Sequence, residues 1–359
     1  MTASPPVWTD PARASAFAQW LAAVAPQHAL QPDTVRLASA DASFRRYFRV
    51  DAGAGQSFII MDAPPALEDC APFVKIAALM QDAGLKAPQV LAWDAPLGFM
   101  LLSDLGAQTM LDVIAPPAAI ENLSAPTKAQ FELYMDAADL LVRWQLSSKP
   151  GVLPPYDDAL LSRELALFPE WYVGAHRGFA PDAEAITKLA PLFVQIKASN
   201  LNALDGARVF VHRDFMPRNL MVDKTGELGI LDFQDAVYGP ITYDIASLMR
   251  DAFLSWDEEV VLDITVRYWQ KARKAGLPVG DDFGEFYHAV EWMGLQRHLK
   301  VLGIFARLTL RDGKPKYLAD APRFMKYARA TCARYRPLGP LMVLLDEIEG
   351  NETRIGYTF

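Results

Sequence analysis

Short alternating runs broken by turn residues dominate the first hundred residues, and apolar positions at helical spacing dominate most of the remaining chain. The stretch AFAQWLAAVAP reads as an opening helix, with Asp10 as N-cap and Pro11 in the first turn. Thr34–Leu37, Phe44–Val50 and Ser57–Met61 alternate as an antiparallel meander, joined by turns at Ala40-Asp41-Ala42-Ser43 and Asp51-Ala52-Gly53-Ala54-Gly55. A helix from about Leu67 to Asp82 is closed by Gly84 and ended by Pro88. Gln89–Trp93 and Phe99–Leu102, on either side of a turn at residues 95–98, bring the strand count to five.

Beyond a linker-like stretch punctuated by Pro116-Pro117 and Ala125-Pro126, helical spacing predicts long helices over Thr127–Ser147, Asp158–Gly174 and Asp182–Leu204. Further helices are expected at Thr242–Phe253, Asp257–Ala275, Phe283–Leu310, Pro322–Tyr335 and Pro340–Ile348.

Between these two groups of helices lies VFVHRDFMPRNLMVDKTGELGILDF, residues 209–233, where the period returns to that of strands. A β-branched run ends at His212-Arg213-Asp214, Asn219 follows Asp214 by five positions, and Asp232 closes a second apolar run. Leu220–Asp223 and Leu228–Leu231 read as a hairpin with a four-residue loop, Lys224-Thr225-Gly226-Glu227. Pairing Asp223 with Leu228 sets Asn219 opposite Asp232, so an amide oxygen and a carboxylate would share one face at the open end. Two hard oxygen ligands suit Mg²⁺. Asp214, on a loop held by Pro217, is placed to accept a hydroxyl proton, and the whole matches the H-R-D-x-x-x-x-N loop with its metal-binding Asp that serves phosphoryl transfer.

Composition narrows the class without naming a chemistry. A chain of 359 residues, 52% of them hydrophobic, can bury a core large enough for two lobes. Its net charge of −8 argues against a general nucleic-acid or anionic-membrane surface. Two cysteines, Cys70 and Cys332, fit a reduced cytoplasmic compartment better than a disulfide scaffold, and no apolar run is long enough to span a membrane.

The motif segment resembles the active-site core of the aminoglycoside phosphotransferase family, which shares the protein-kinase fold. HRDFMPRNLMV, LDFQDAVYGPITYDIASLMRDAF and QRHLKVLGIFARL are similar to the bacterial amino-sugar anomeric kinases, and the likeness runs from about Asp10 to the C-terminus. It implies a two-lobed α+β fold. Residues 1–103 would form a small N-lobe with a five-stranded antiparallel sheet and one main helix, and residues 104–359 a larger, mostly helical C-lobe. It also implies a monomer that uses ATP and Mg²⁺ to phosphorylate the anomeric hydroxyl of N-acetylmuramate or N-acetylglucosamine, supplying a sugar 1-phosphate to cell-wall recycling. An aminoglycoside, choline or homoserine acceptor and a non-catalytic, nucleotide-binding pseudokinase are the alternatives.

Residue by residue, the resemblance puts Asp214 as base, Asn219 and Asp232 on metal and nucleotide, Leu102 and Asp104 at the adenine hinge, and Asp244 as a brace for the catalytic loop. Ser43 in the first turn stands where kinases cover the phosphates. Met61 occupies the position of the kinase β-strand lysine, so another cation is needed, from Arg45, Arg46, Arg49 or Lys75, with Arg45 and Arg46 nearest the first turn. Arg163, Arg297 and His298 are the candidate acceptor contacts, because an anionic amino sugar wants arginine or histidine where a polycation wants carboxylates.

Overall fold

The computed structural model of the chain describes residues 6–40, 44–115, 125–179 and 183–350. The turn containing Ser43 and the Pro116-Pro117 stretch lie outside them. The first stretch runs α1 (Pro11–Val24), β1 (Arg36–Ala40), β2 (Arg46–Asp51), β3 (Ser57–Asp62), α2 (Ala71–Asp82), β4 (Val90–Asp94), β5 (Phe99–Ser103) and the short β6 (Gln108–Thr109). Asp10 caps α1 through the Ala12 amide, with proline at the start of the helix as expected.

Next come α3 (Met110–Ile114), α4 (Lys128–Leu146), α5 (Asp158–Leu167), α6 (Ala183–Asn202), β7 (Arg208–Val211), β8 (Leu220–Val222), β9 (Leu228–Ile230) and β10 (Val237–Pro240). The chain ends with α7 (Tyr243–Met249), α8 (Glu258–Lys274), α9 (Phe283–Leu310), α10 (Ala321–Arg334) and α11 (Gly339–Glu349). Thr127 and Gln130 close a reciprocal capping box at the start of α4. The helix expected over 158–174 is α-helical only to Leu167 and continues as a π-helix, Phe168–His176, where Pro169 lacks the amide an α-ladder needs.

Two compact units result: Met1–Met110 with Arg218–Asp235, and Leu111–Pro217 with Ala236–Phe359. The first break falls a little beyond the expected cut after residue 103. The hairpin, which a single cut would assign to the C-terminal portion, groups instead with the first unit. It does so because β8 pairs with β6, and the Ile230 amide donates to the Lys86 carbonyl.

In the first unit the five strands pair antiparallel in the order β1-β2-β3-β5-β4. Register fixes which side chains share a face: Arg46, Phe48 and Val50 stand opposite Asp62, Ile60 and Phe58, whereas Tyr47 and Arg49 stand opposite Met61 and Ile59. The Phe48 face packs with Phe17, Trp20 and Leu21 of α1 in one hydrophobic core. Here Asp62 is fully buried and is held by Arg13 and Arg46 from two sides, which ties α1 to the sheet.

The second unit is built around α9, whose Trp292, Leu295, Leu299 and Leu302 sit in a core shared with Leu165 and Phe168 and with Phe324 and Ala328 of α10. At Gly303 an added Cβ would lie 2.4 Å from the Leu167 carbonyl group, so only glycine permits this close approach.

Candidate active site

The two halves of the predicted constellation belong to different units and are joined by a few residues of chain around Pro217. In the second unit β7 carries the chain into His212-Arg213-Asp214. Asp244, in the first turn of α7 and fully buried, accepts the His212 amide at 2.7 Å and the Arg213 amide at 2.9 Å. The brace anticipated at Asp244 is therefore real. Burial pushes the Asp244 carboxyl up to about 6, against the opposing pull of His212 and of the two amide bonds. Arg213 has φ +76°, a conformation a non-glycine residue holds only when its surroundings fix it.

What fixes Arg213 is a residue the sequence reading passed over. Its guanidinium meets Glu164 of α5 at 2.6 Å, and Lys300 of α9 meets the same carboxylate oxygen at 2.9 Å. The second oxygen accepts from Tyr156 at 2.5 Å and from Gln296 at 2.9 Å. Burial alone would raise the Glu164 carboxyl, but Lys300 and Arg213 override it and hold it at about 2. Lys300 also reaches the Tyr243 hydroxyl at 3.1 Å. The overlooked signal was positional. Glu164 falls in the apolar stripe Leu161, Leu165, Phe168, where a charge is rare unless it is paired.

In the first unit the hairpin forms, with a register one residue away from the expected one. Leu220 pairs with Ile230 and Val222 with Leu228, and the Leu231 amide donates to the Asn219 carbonyl, so Asn219 stands opposite Leu231. Asp223 closes the loop by accepting the Thr225 and Glu227 amides, and Gly226 takes φ +88°. Asp232 reaches Asn219 by another route: its backbone leaves the ladder at φ +61°, and the Asn219 amide comes to 3.4 Å from its carboxylate. Gln234 holds the other carboxylate oxygen at 2.9 Å. Both side chains are half-buried, and together they offer the amide and carboxylate oxygens that suit Mg²⁺. Among the described residues there is no cluster of three or more His, Cys, Asp and Glu side chains able to hold a metal, so such an ion would depend on phosphate and water for its remaining ligands.

The other candidates divide. Asp104 is bound by Arg49 at 2.6 Å and by Ser57 at 2.7 Å; burial would raise its carboxyl, but these bonds and the Gly106 amide keep it below its ordinary value. Leu102 is buried and paired on both sides in β5. Arg46 is corrected by strand alternation: it lies on the α1 side with Asp62, away from Met61, and its guanidinium stacks 4.2 Å over Trp8. Arg45 lies 4.0 Å from Glu68, whose other oxygen accepts the Phe44 amide. Arg163 is exposed.

On α9 the two neighbours part company. Arg297 turns toward the catalytic turn, 5.3 Å over the Tyr243 ring. His298, about 100° further round the helix, faces α10, packed on Tyr327 and Phe324. Burial lowers its pKa well below the ordinary value, and neither ring nitrogen has a hydrogen-bond partner among the described residues.

A carboxylate on a braced turn, followed along the chain by an amide and a carboxylate at the mouth of a hairpin, is the order of residues that phosphoryl-transfer enzymes use. Residues 34–281 match the phosphotransferase enzyme family, APH, and the chain belongs to that family. It is 48% identical over 314 residues to the N-acetylmuramate/N-acetylglucosamine kinase of Pseudomonas aeruginosa, covering 87% of each chain. It is 47% identical over 342 residues to the protein of the same name from Neisseria meningitidis serogroup B, covering 95% of this chain and 97% of the relative. Among solved structures, choline kinase LicA from Streptococcus pneumoniae superposes with a TM-score of 0.61 at 12% identity, over 88% of this chain and 99% of that one. Amicoumacin kinase hAmiN, solved with AMP-PNP and Ca²⁺, gives 0.58 at 16% identity, over 89% and 96%. These two likenesses speak for the two-lobed kinase-like fold. No helix among the described residues is long and apolar enough to cross a membrane, and both cysteines are buried and unpaired.

Proposed function

We propose that the protein is an ATP-dependent amino-sugar kinase that transfers the γ-phosphoryl group to the anomeric hydroxyl of N-acetylmuramate and N-acetylglucosamine. The observation that carries this reading is identity of 47–48% over nearly the whole chain to relatives bearing that name. Asp214 takes the hydroxyl proton, while Asp244 holds the turn on which Asp214 stands. Asn219 and Asp232 hold Mg²⁺, which when bound offsets charge on the phosphates. Arg45, paired with Glu68, is the cation we assign to the phosphates in place of the absent strand lysine. Arg297, whose Nε–H has no partner among the described residues, is the one to pair with the lactyl carboxylate.

The test is a transfer assay with ATP and Mg²⁺ over free amino sugars, aminoglycosides, choline and homoserine, with the position of the new phosphate read by NMR. A 1-phosphate on the amino sugars is expected. Transfer confined to another acceptor, or nucleotide binding without turnover on any, would overturn the reading.

A further inference from the structure

Lys300 is an ammonium placed where helix α9 meets the catalytic turn. It is 8% exposed, and burial works against its charge, yet Glu164 and the nearby Asp214 keep it protonated. Its partners are the Glu164 carboxylate at 2.9 Å and the Tyr243 hydroxyl at 3.1 Å. An ammonium has three N–H donors, and these two contacts leave one unspent among the described residues. A buried donor left without a partner costs free energy that folding alone does not return.

The neighbourhood carries more positive charge than Glu164 can balance. Arg213 and Lys300 share one of its oxygens, so two cations meet a single carboxylate next to the turn that carries Asp214. Negative charge develops at that place during transfer. As Asp214 takes the acceptor proton, the O–H bond breaks and an O–P bond forms to the γ-phosphorus. The bond from phosphorus to the bridging oxygen breaks, and ADP leaves with that electron pair.

We propose that the third N–H of Lys300 donates to the reacting hydroxyl oxygen of the acceptor and stabilises the charge it gains, making Lys300 a catalytic residue alongside Asp214. This rests on the kinase reading above. Removing a preorganised donor of this kind typically lowers kcat by about 10²–10³.

The competing account is that Lys300 only neutralises Glu164. Lys300→Met, Glu164→Gln and the double variant separate the two, with kcat on N-acetylglucosamine, KM for ATP and thermal midpoint measured for each. If Lys300 touches the reacting oxygen, Lys300→Met lowers kcat by about 10²–10³ with KM for ATP held within a few-fold. The double variant does not regain kcat, and its thermal midpoint does not recover either, because Glu164→Gln takes from Arg213 the carboxylate it is paired with. Recovery of kcat in the double variant overturns the proposal, as does a Lys300→Met variant whose kcat stays within about three-fold of wild type, far short of the loss a direct donor contact implies. A wild type that turns over none of the sugars refutes the functional reading instead, and is seen before any variant is made.

Discussion

Replacing Glu164 by methionine tests the buried cluster as a stability element. The change leaves Arg213 and Lys300 buried around an apolar side chain of similar length. Holding the Glu164 carboxyl at about 2, against an ordinary 4.5, corresponds to about 3 kcal/mol at neutral pH. Breaking a buried ion pair by removing one partner costs about 3–5 kcal/mol, which agrees. For a unit of this size each kcal/mol moves the midpoint by about 2–4 °C, so a fall of roughly 6–12 °C is expected. The assay is thermal and urea unfolding of wild type and variant from pH 8 to pH 3. Because the folded pKa is depressed, the contribution is fully present above 4.5 and is lost as pH falls toward about 2. The gap between the two proteins should stay constant from pH 8 to 5 and narrow only below. A midpoint change under about 2 °C, or a gap that closes between pH 7 and 5, would refute the reasoning.

Asp214→Asn keeps the shape of the base without its proton affinity, and should lower kcat by about 10²–10⁴ while ATP affinity stays within a few-fold; near-normal turnover would remove Asp214 from the role. Asp232→Ala should weaken Mg²⁺-dependent nucleotide binding more than Asn219→Ala, since a carboxylate brings a full charge to the ion and an amide only a dipole; titrating Mg²⁺ against each variant decides it. Arg46→Ala should lower the unfolding midpoint, by leaving buried Asp62 with Arg13 alone, and leave KM for ATP near wild type, whereas Arg45→Ala should raise that KM; the opposite pattern would return Arg46 to the phosphates. Burial pushes the Cys332 thiol up to about 12 and raises Cys70 as well, so neither should react with a thiol reagent until the protein is unfolded.

The parts of the fold read most accurately from sequence were those encoded locally. The five strands and the spans of α4 and α9 each follow from contiguous spacing and end signals, and the structure returns their bounds within two residues except at the end of β1, which runs three further, to Ala40. The hairpin was foreseen and its register was not. A four-residue and a three-residue loop differ by one residue, and the choice is made by Asp223, which caps the turn through its side chain and pairs its amide with Glu227. Asn219 and Asp232 still meet, because Asp232 enters a left-handed conformation that no spacing rule predicts.

Arg46 was misplaced and Glu164 left unassigned for related reasons, and together they show which kind of residue a linear motif conceals. Arg45 and Arg46 are equivalent neighbours in the sequence, but a strand sends successive side chains to opposite faces, and the identity of the partner strand decides which face meets α1. The fully buried Asp62, directly across from Arg46, settles that choice, because a carboxylate can remain in an apolar layer only with cations beside it. Glu164 presents the same problem on a helix. It occupies a core position, and its partners come from residues 156, 213, 296 and 300, which only the fold brings together. In both places the informative feature was a carboxylate in an apolar stripe, and its cation was the residue worth finding. Applied along α9, the same test sorts Lys300 from His298. Lys300 has a buried carboxylate to answer and so belongs to the catalytic turn, whereas His298 has aromatic rings and is held away from protonation by burial.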